Sequence, residues 1–268
     1  MSPRLSGRAL EAIDAGLSGR ERAIISLLAE LRFLSTRQLE RWVFSGRTPL
    51  ARARASRRSV AKLVELGLVR HLQRRVGGVR AGSAGSINVL TPLGLRLASV
   101  YGWVSPERVR RMREPGGQFV RHYLCVAEAH LLAVEAEEAG RWELLAREAE
   151  PTCWRTFTGP HGRQVLKPDG FFAIGHGPWR THWFVEIDRS TASGATLERK
   201  LALYVAYWRD GGEVATRGVF PRVLWLVGDT HRLDVVRQAF RRTPSEAQVL
   251  FAVAPFERVI TALTGDEP

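Results

Sequence analysis

Two short stretches carry acidic residues at a spacing that can do chemistry. Lys167-Pro168-Asp169-Gly170-Phe171 lies in a segment, 164–174, that reads as a strand. The two-residue period of a strand puts Lys167 and Asp169 on one side. In 181–188, also read as a strand, His182, Glu186 and Asp188 share a face, while Trp183, Val185 and Ile187 line the other. Gly175-His176-Gly177-Pro178 between them reads as a hairpin turn. Pairing of the two strands would let the carboxylates of Asp169, Glu186 and Asp188 converge. Grouped carboxylates repel one another and need a counter-charge. Mg²⁺ or Mn²⁺ is the usual one, and such a site can activate water against a phosphodiester. The competing reading is a buried ion-pair network with no catalytic role.

The elements that must hold these residues follow from patterning. A largely apolar helix is expected over 118–139, with Arg121, Glu128 and Glu135 as its polar stripe. Strands are expected at 142–147 and 154–157, then the two already described. A helix over 195–208 follows, with Leu197, Leu201, Tyr204 and Trp208 on one face. A strand at 222–227, a helix at 233–241 and a strand at 248–254 complete a mixed sheet covered by helices.

Ahead of this region the chain reads differently. Of 268 residues with a net charge of +13, residues 1–115 hold 22 basic and 8 acidic side chains, and the remainder holds 18 and 19. Only Lys62, Lys167 and Lys200 are lysines. A half this basic attracts a polyanion, and arginine suits phosphate and guanine. Helices are expected at 18–31 (Ser18 and Glu21 at capping-box spacing), 37–44 and 49–66, then strands at 68–76 and 87–90 and a helix opened by Pro92. Three helices followed by a hairpin describe a winged helix-turn-helix. Arg52, Arg54, Arg57, Arg58 and Lys62 on the third helix are the candidate DNA contacts, with Arg74, Arg75 and Arg80 on the wing. A winged helix used for protein contacts is the alternative. The domains expected are 1–101, a basic linker at 102–117, and 118–268.

The order helix, three strands, helix, strand, with Pro168-Asp169 and then Glu186-Ile187-Asp188, resembles the PD-(D/E)XK nuclease fold. With "LKPDGFFAI", "WFVEIDRSTAS", "LERKLALYVAYW" and "FPRVLWLV" behind a winged helix, the chain resembles the replication-relaxation family of plasmid and mobile-element proteins. The resemblance implies an α+β protein: a winged helix-turn-helix followed by a mixed α/β restriction-endonuclease-like domain. It makes Asp169 and Glu186 metal ligands and Glu128 an outer ligand, with Mg²⁺ or Mn²⁺ as cofactor if the site is catalytic. The motif lysine should fall two residues after Glu186, where Asp188 stands; Lys167 or Lys200 would have to replace it. The function implied is a duplex DNA-binding accessory or regulatory protein of replication and DNA relaxation, with a metal-dependent endonuclease as the alternative. Double-stranded DNA is the expected partner, beside replication or mobilisation proteins; a homodimer is an open option.

Other chemistries find no support. His122, Cys125 and His130 share a helix without a second pair at zinc spacing. There is no phosphate-binding glycine loop and no histidine cluster to accompany a nicking tyrosine. Eight tryptophans could stack bases, but most lie on apolar faces, where core packing is the default. Two cysteines, no apolar run of ~18 residues and no apolar signal core at the start of the chain make a cytoplasmic protein the expectation.

Overall fold

The structure, a computed structural model, describes residues 7–72, 86–104, 116–159, 162–189 and 193–265. It is a mixed α+β fold that divides into two compact units, Met1–Leu131 and Leu132–Pro268. The division falls inside one long helix.

The first unit contains α1 (Gly7–Ala15), α2 (Gly19–Leu31), β1 (Leu34–Ser35), α3 (Thr36–Val43), α4 (Pro49–Glu65), β2 (Val69–Leu72), β3 (Ile87–Leu90) and α5 (Pro92–Val100). The N-terminal part of α6 (Gly117–Glu138) completes it. Its helix starts are chemically specified. Ser18 accepts from the Glu21 amide while Glu21 accepts from the Ser18 amide, and Ser35 and Gln38 repeat the arrangement on α3. Leu34 and Ser35, between the expected helices 18–31 and 37–44, pair with β3, giving an antiparallel sheet in the order β1-β3-β2. Ile24, Leu28, Leu39, Leu63 and Leu68 are buried in this unit. Phe33, Ile87 and Val89 pack with Val120 and Tyr123 of α6. Arg74, Arg75, Arg80, the expected strand residues 73–76 and most of the expected linker lie outside the described residues.

The second unit is built on a five-stranded sheet in the order β10-β9-β8-β7-β4. Its strands are β4 (Glu143–Ala149), β7 (Gly170–His176), β8 (Trp179–Asp188), β9 (Arg222–Val227) and β10 (Phe251–Pro255). The β4/β7 and β7/β8 pairs are antiparallel, and β8/β9 and β9/β10 are parallel. Helices α7 (Gly194–Asp210), α8 (Gly212–Arg217), α9 (Thr230–Phe240) and α10 (Val259–Thr264) accompany it. Phe171, Phe184, Val223 and Trp225 from the sheet share one core with Leu201 and Tyr204 of α7 and Val236 of α9. An ion-pair network ties β4 and α8 to Arg155: Arg155 and Arg217 each bridge Glu148 and Glu213 at 2.8–3.1 Å.

The single strand expected over 164–174 is two strands in different sheets. β5 (Arg155–Gly159) and β6 (Gly162–Leu166) form a separate hairpin, and β7 begins only at Gly170. Pro168 lies between them; it has no amide to donate to a ladder. The two-residue alternation therefore does not run through Lys167 and Asp169: Lys167 is exposed and Asp169 buried.

Among the described glycines of the first unit, Gly94 makes the tightest backbone approach. A Cβ there would lie 2.1 Å from the Leu68 carbonyl oxygen, an atom held by the Thr91 amide. Gly94→Ala should therefore lower unfolding free energy by about 3 kcal/mol or more. Gly19→Ala, where a Cβ meets nothing within 4 Å, should leave it nearly unchanged. Urea unfolding of the two variants checks the contrast.

Candidate functional site

Glu186 stands on β8 beside Trp225 of β9, with its carboxyl group buried. Lys200 and Tyr204 are four residues apart on α7, the spacing that puts two side chains on one helix face. The Tyr204 hydroxyl donates to Glu186 Oε1 at 2.5 Å, and Lys200 Nζ donates to Oε2. Both carboxylate oxygens are thereby engaged. Asp169 fixes the strand around them. Its amide donates to the Val185 carbonyl at 3.0 Å, and its Oδ2 accepts from the Ile187 amide at 2.7 Å. Asp169 thus holds the peptide groups on both sides of Glu186.

The electrostatics follow from burial. Loss of water pushes the Glu186 carboxyl up to about 7; the Asp169 charge adds to this, against the pull of Lys200 and Tyr204. For Lys200, burial acts against the ammonium, but the Glu186 and Asp169 charges outweigh it and keep the amine protonated above its ordinary range. Burial, reinforced by Glu186, likewise keeps the Tyr204 hydroxyl protonated. The cluster is a carboxyl with an internal cation and an internal hydroxyl donor.

Of the residues singled out by sequence, Asp169, Glu186 and Lys200 come together. Asp188 is occupied by Arg232 of α9, whose Nε and Nη2 both donate to Asp188 Oδ2, at 3.0 and 2.7 Å. Lys167 lies outside this cluster's hydrogen bonds, its ammonium 4.6 Å from the centre of the Trp154 ring. Glu128 belongs to the first unit: it is ion-paired with Arg41 and accepts from Gln38 Nε2 at 2.9 Å. The donor set does not fit a divalent ion. Glu186 has both oxygens committed, and among the described residues no group of three or more His, Cys, Asp or Glu side chains is placed to hold a metal. Tyr204 and Arg232 were not anticipated. The signal for Tyr204 was its four-residue separation from Lys200; Arg232 had no local signal, since its partner lies 44 residues away.

On α4, Arg54, Arg57 and Arg58 are exposed to solvent. Arg52 and Lys62, grouped with them by sequence, are spent inside the unit. Arg52 pairs with Glu40 at 3.2 Å, and Lys62 reaches Glu21 at 2.9 Å and the Gly16 carbonyl at 2.8 Å.

The model of the replication-relaxation family matches residues 25–223, well over half of the chain. The chain belongs to the replication-relaxation family. Membership suggests a role in plasmid or mobile-element replication or relaxation. The matched span of this replication-relaxation chain takes in α4, Asp169, Glu186 and Lys200 and stops at the start of β9. No curated protein and no solved structure matches the chain. Among the described residues no helix is long and apolar enough to cross a membrane.

The raised Glu186 pKa has a signed consequence. Between its ordinary value of 4.5 and about 7, the folded state keeps a proton that the unfolded state releases, so this group's contribution to stability falls as pH rises through that window and is flat above it. Glu186→Gln removes the group. Its stability relative to the parent should climb by up to about 3 kcal/mol over the window. Urea unfolding at a series of pH values reads the difference; parallel curves would show a carboxylate ionised throughout.

Proposed function

We propose that the protein is an accessory or regulatory DNA-binding protein of plasmid or mobile-element replication and relaxation. Its first unit grips duplex DNA as a winged helix. In this reading α3 and α4 are the helix-turn-helix, α4 enters the major groove, and the β2–β3 hairpin is the wing. The observation that carries it is the exposure of Arg54, Arg57 and Arg58 on one helix, in the half of the chain that holds all of the excess positive charge. Arginines left in water without an acidic neighbour keep their capacity for phosphate and base edges. The DNA contacts proposed are therefore these three, with Arg74, Arg75 and Arg80, expected from the sequence on the wing.

The second unit, in this reading, is a domain of PD-(D/E)XK type that has exchanged metal chemistry for structure. Three observations support it. Lys200 supplies the positive charge a metal would bring, Asp188 stands where the motif lysine belongs, and Asp188 is itself neutralised by Arg232. Docking of replication or mobilisation proteins on this unit belongs to the same proposal.

The test is binding of a labelled duplex as a function of salt. Replacing Arg54, Arg57 and Arg58 with alanine should weaken binding and flatten the dependence of log K on log salt by about 0.9 for each phosphate that is no longer neutralised. Arg52→Ala and Lys62→Ala should have smaller effects on affinity, because those side chains already have acidic partners. A triple variant that binds like its parent would overturn the reading. Incubation with supercoiled plasmid and Mg²⁺ or Mn²⁺ separates the endonuclease alternative. No cleavage is expected, and cleavage that disappears in Asp169→Ala and Glu186→Gln would establish the enzyme instead.

A further inference from the structure

Two buried tryptophans of the second unit have hydrogen-bond partners for their indole nitrogens. Trp142 Nε1 donates to the Ala133 carbonyl at 3.1 Å, and Trp183 Nε1 donates to the Leu263 carbonyl at 2.9 Å. Trp179 is the opposite case, with 73% of its surface exposed. It sits at the first position of β8, directly across from His176 at the end of β7. The connection is the two-residue turn Gly177-Pro178, with Gly177 at φ +55°, a conformation that suits glycine at the first central position of a tight hairpin turn. A proline-containing turn between paired strands is stiff, so the ring is presented on a rigid support.

Beside the ring lies a cavity of about 550 Å³ lined by Arg141, Glu143, His176, Trp179 and Arg180, among others. Arg141, His176 and Arg180 are exposed, and among the described residues none of the three has an ion pair or a side-chain hydrogen bond. Arg180 and Glu143 both stand opposite Gly175, on the two strands flanking it, and no ion pair joins them. Residues 116–268 are near neutral in sum; at this end of the sheet two unspent guanidiniums and one carboxylate, Glu143, lie beside an exposed indole.

We infer that this hairpin end is a binding site for single-stranded DNA, with Trp179 stacking a base and Arg141 and Arg180 holding phosphates. An indole offers a flat π face to any unpaired base, and arginine supplies both charge and a planar group for the backbone. Duplex DNA is a poor ligand for such a site, because its bases are already stacked on one another. The inference is independent of the duplex-binding surface on α4.

The test uses the full chain carrying Arg54→Ala, Arg57→Ala and Arg58→Ala, so that the first unit contributes little, and follows the anisotropy of a fluorescein-labelled oligothymidylate. Trp179→Ala should weaken binding about tenfold, Trp179→Phe should retain most of it, and Arg141→Ala with Arg180→Ala should weaken it and flatten its salt dependence. Far-UV circular dichroism should be unchanged, since the replaced side chains are exposed. Duplex binding by Trp179→Ala in the otherwise native chain should equal that of the parent. The inference is overturned if Trp179→Ala binds oligothymidylate as its parent does, if it loses duplex binding equally, or if oligouridylate is bound more tightly than oligothymidylate.

Discussion

A carboxylate surrounded by aromatic rings must either give up its charge or find a cation within reach, because leaving it ionised and alone costs several kcal/mol. Glu186 faces that constraint in the second unit. Tyr204, which donates to it, packs edge-on against Trp225 at 5.8 Å and tilted against Phe184 at 5.9 Å. The solution is internal, with one lysine and one tyrosine from a single face of α7. The same pair of contacts fixes where α7 sits on the sheet, since a helix shifted by one turn would bring neither group to Glu186. Asp169 then pins β8 on either side of the carboxylate, so that strand, helix and the segment after β6 are set by one interaction.

The way the protein disposes of its charges divides its two units. Inside the second unit, cations are consumed: Arg155 and Arg217 between Glu148 and Glu213, Lys200 on Glu186, Arg232 on Asp188. On α4 the distribution is mixed along a single helix. Arg52 and Lys62, at its two ends, meet Glu40 and Glu21, and the three arginines between them remain in water. The paired residues hold the helix to its neighbours, and the others are left for an external anion. Glu21 has a double duty here, closing the cap of α2 and receiving Lys62.

Much of the architecture was legible because it is written in local pattern. The Ser18 and Glu21 capping box, Pro49 and Pro92 at helix starts, and the apolar strand Arg222–Val227 all specify their elements within a few residues. The gathering of Asp169, Glu186 and Lys200 was readable in part, through strand alternation and spacing. What failed was alternation carried across Pro168: a residue that breaks a ladder also resets which face its neighbours occupy, and Lys167 and Asp169 part company there. Arg232 on Asp188 and Arg41 on Glu128 were not readable, because both pairs join residues far apart in the chain, where only the folded topology decides what meets. The pairing of Leu34 and Ser35 with β3 was missed for the same reason, a two-residue strand having no period of its own.

The three lysines also make the chain selective toward amine chemistry. Acylation requires a neutral amine, and Lys200 is held as an ammonium by Glu186 and Asp169, while Lys62 is engaged with Glu21 and a backbone carbonyl. Lys167, exposed and with its ammonium over the face of Trp154, is paired with no carboxylate among the described residues. Among the lysines, an acetyl group or an amine-directed label would therefore settle first on the loop between β6 and β7, a side-chain handle on a protein whose positive charge is otherwise almost all guanidinium.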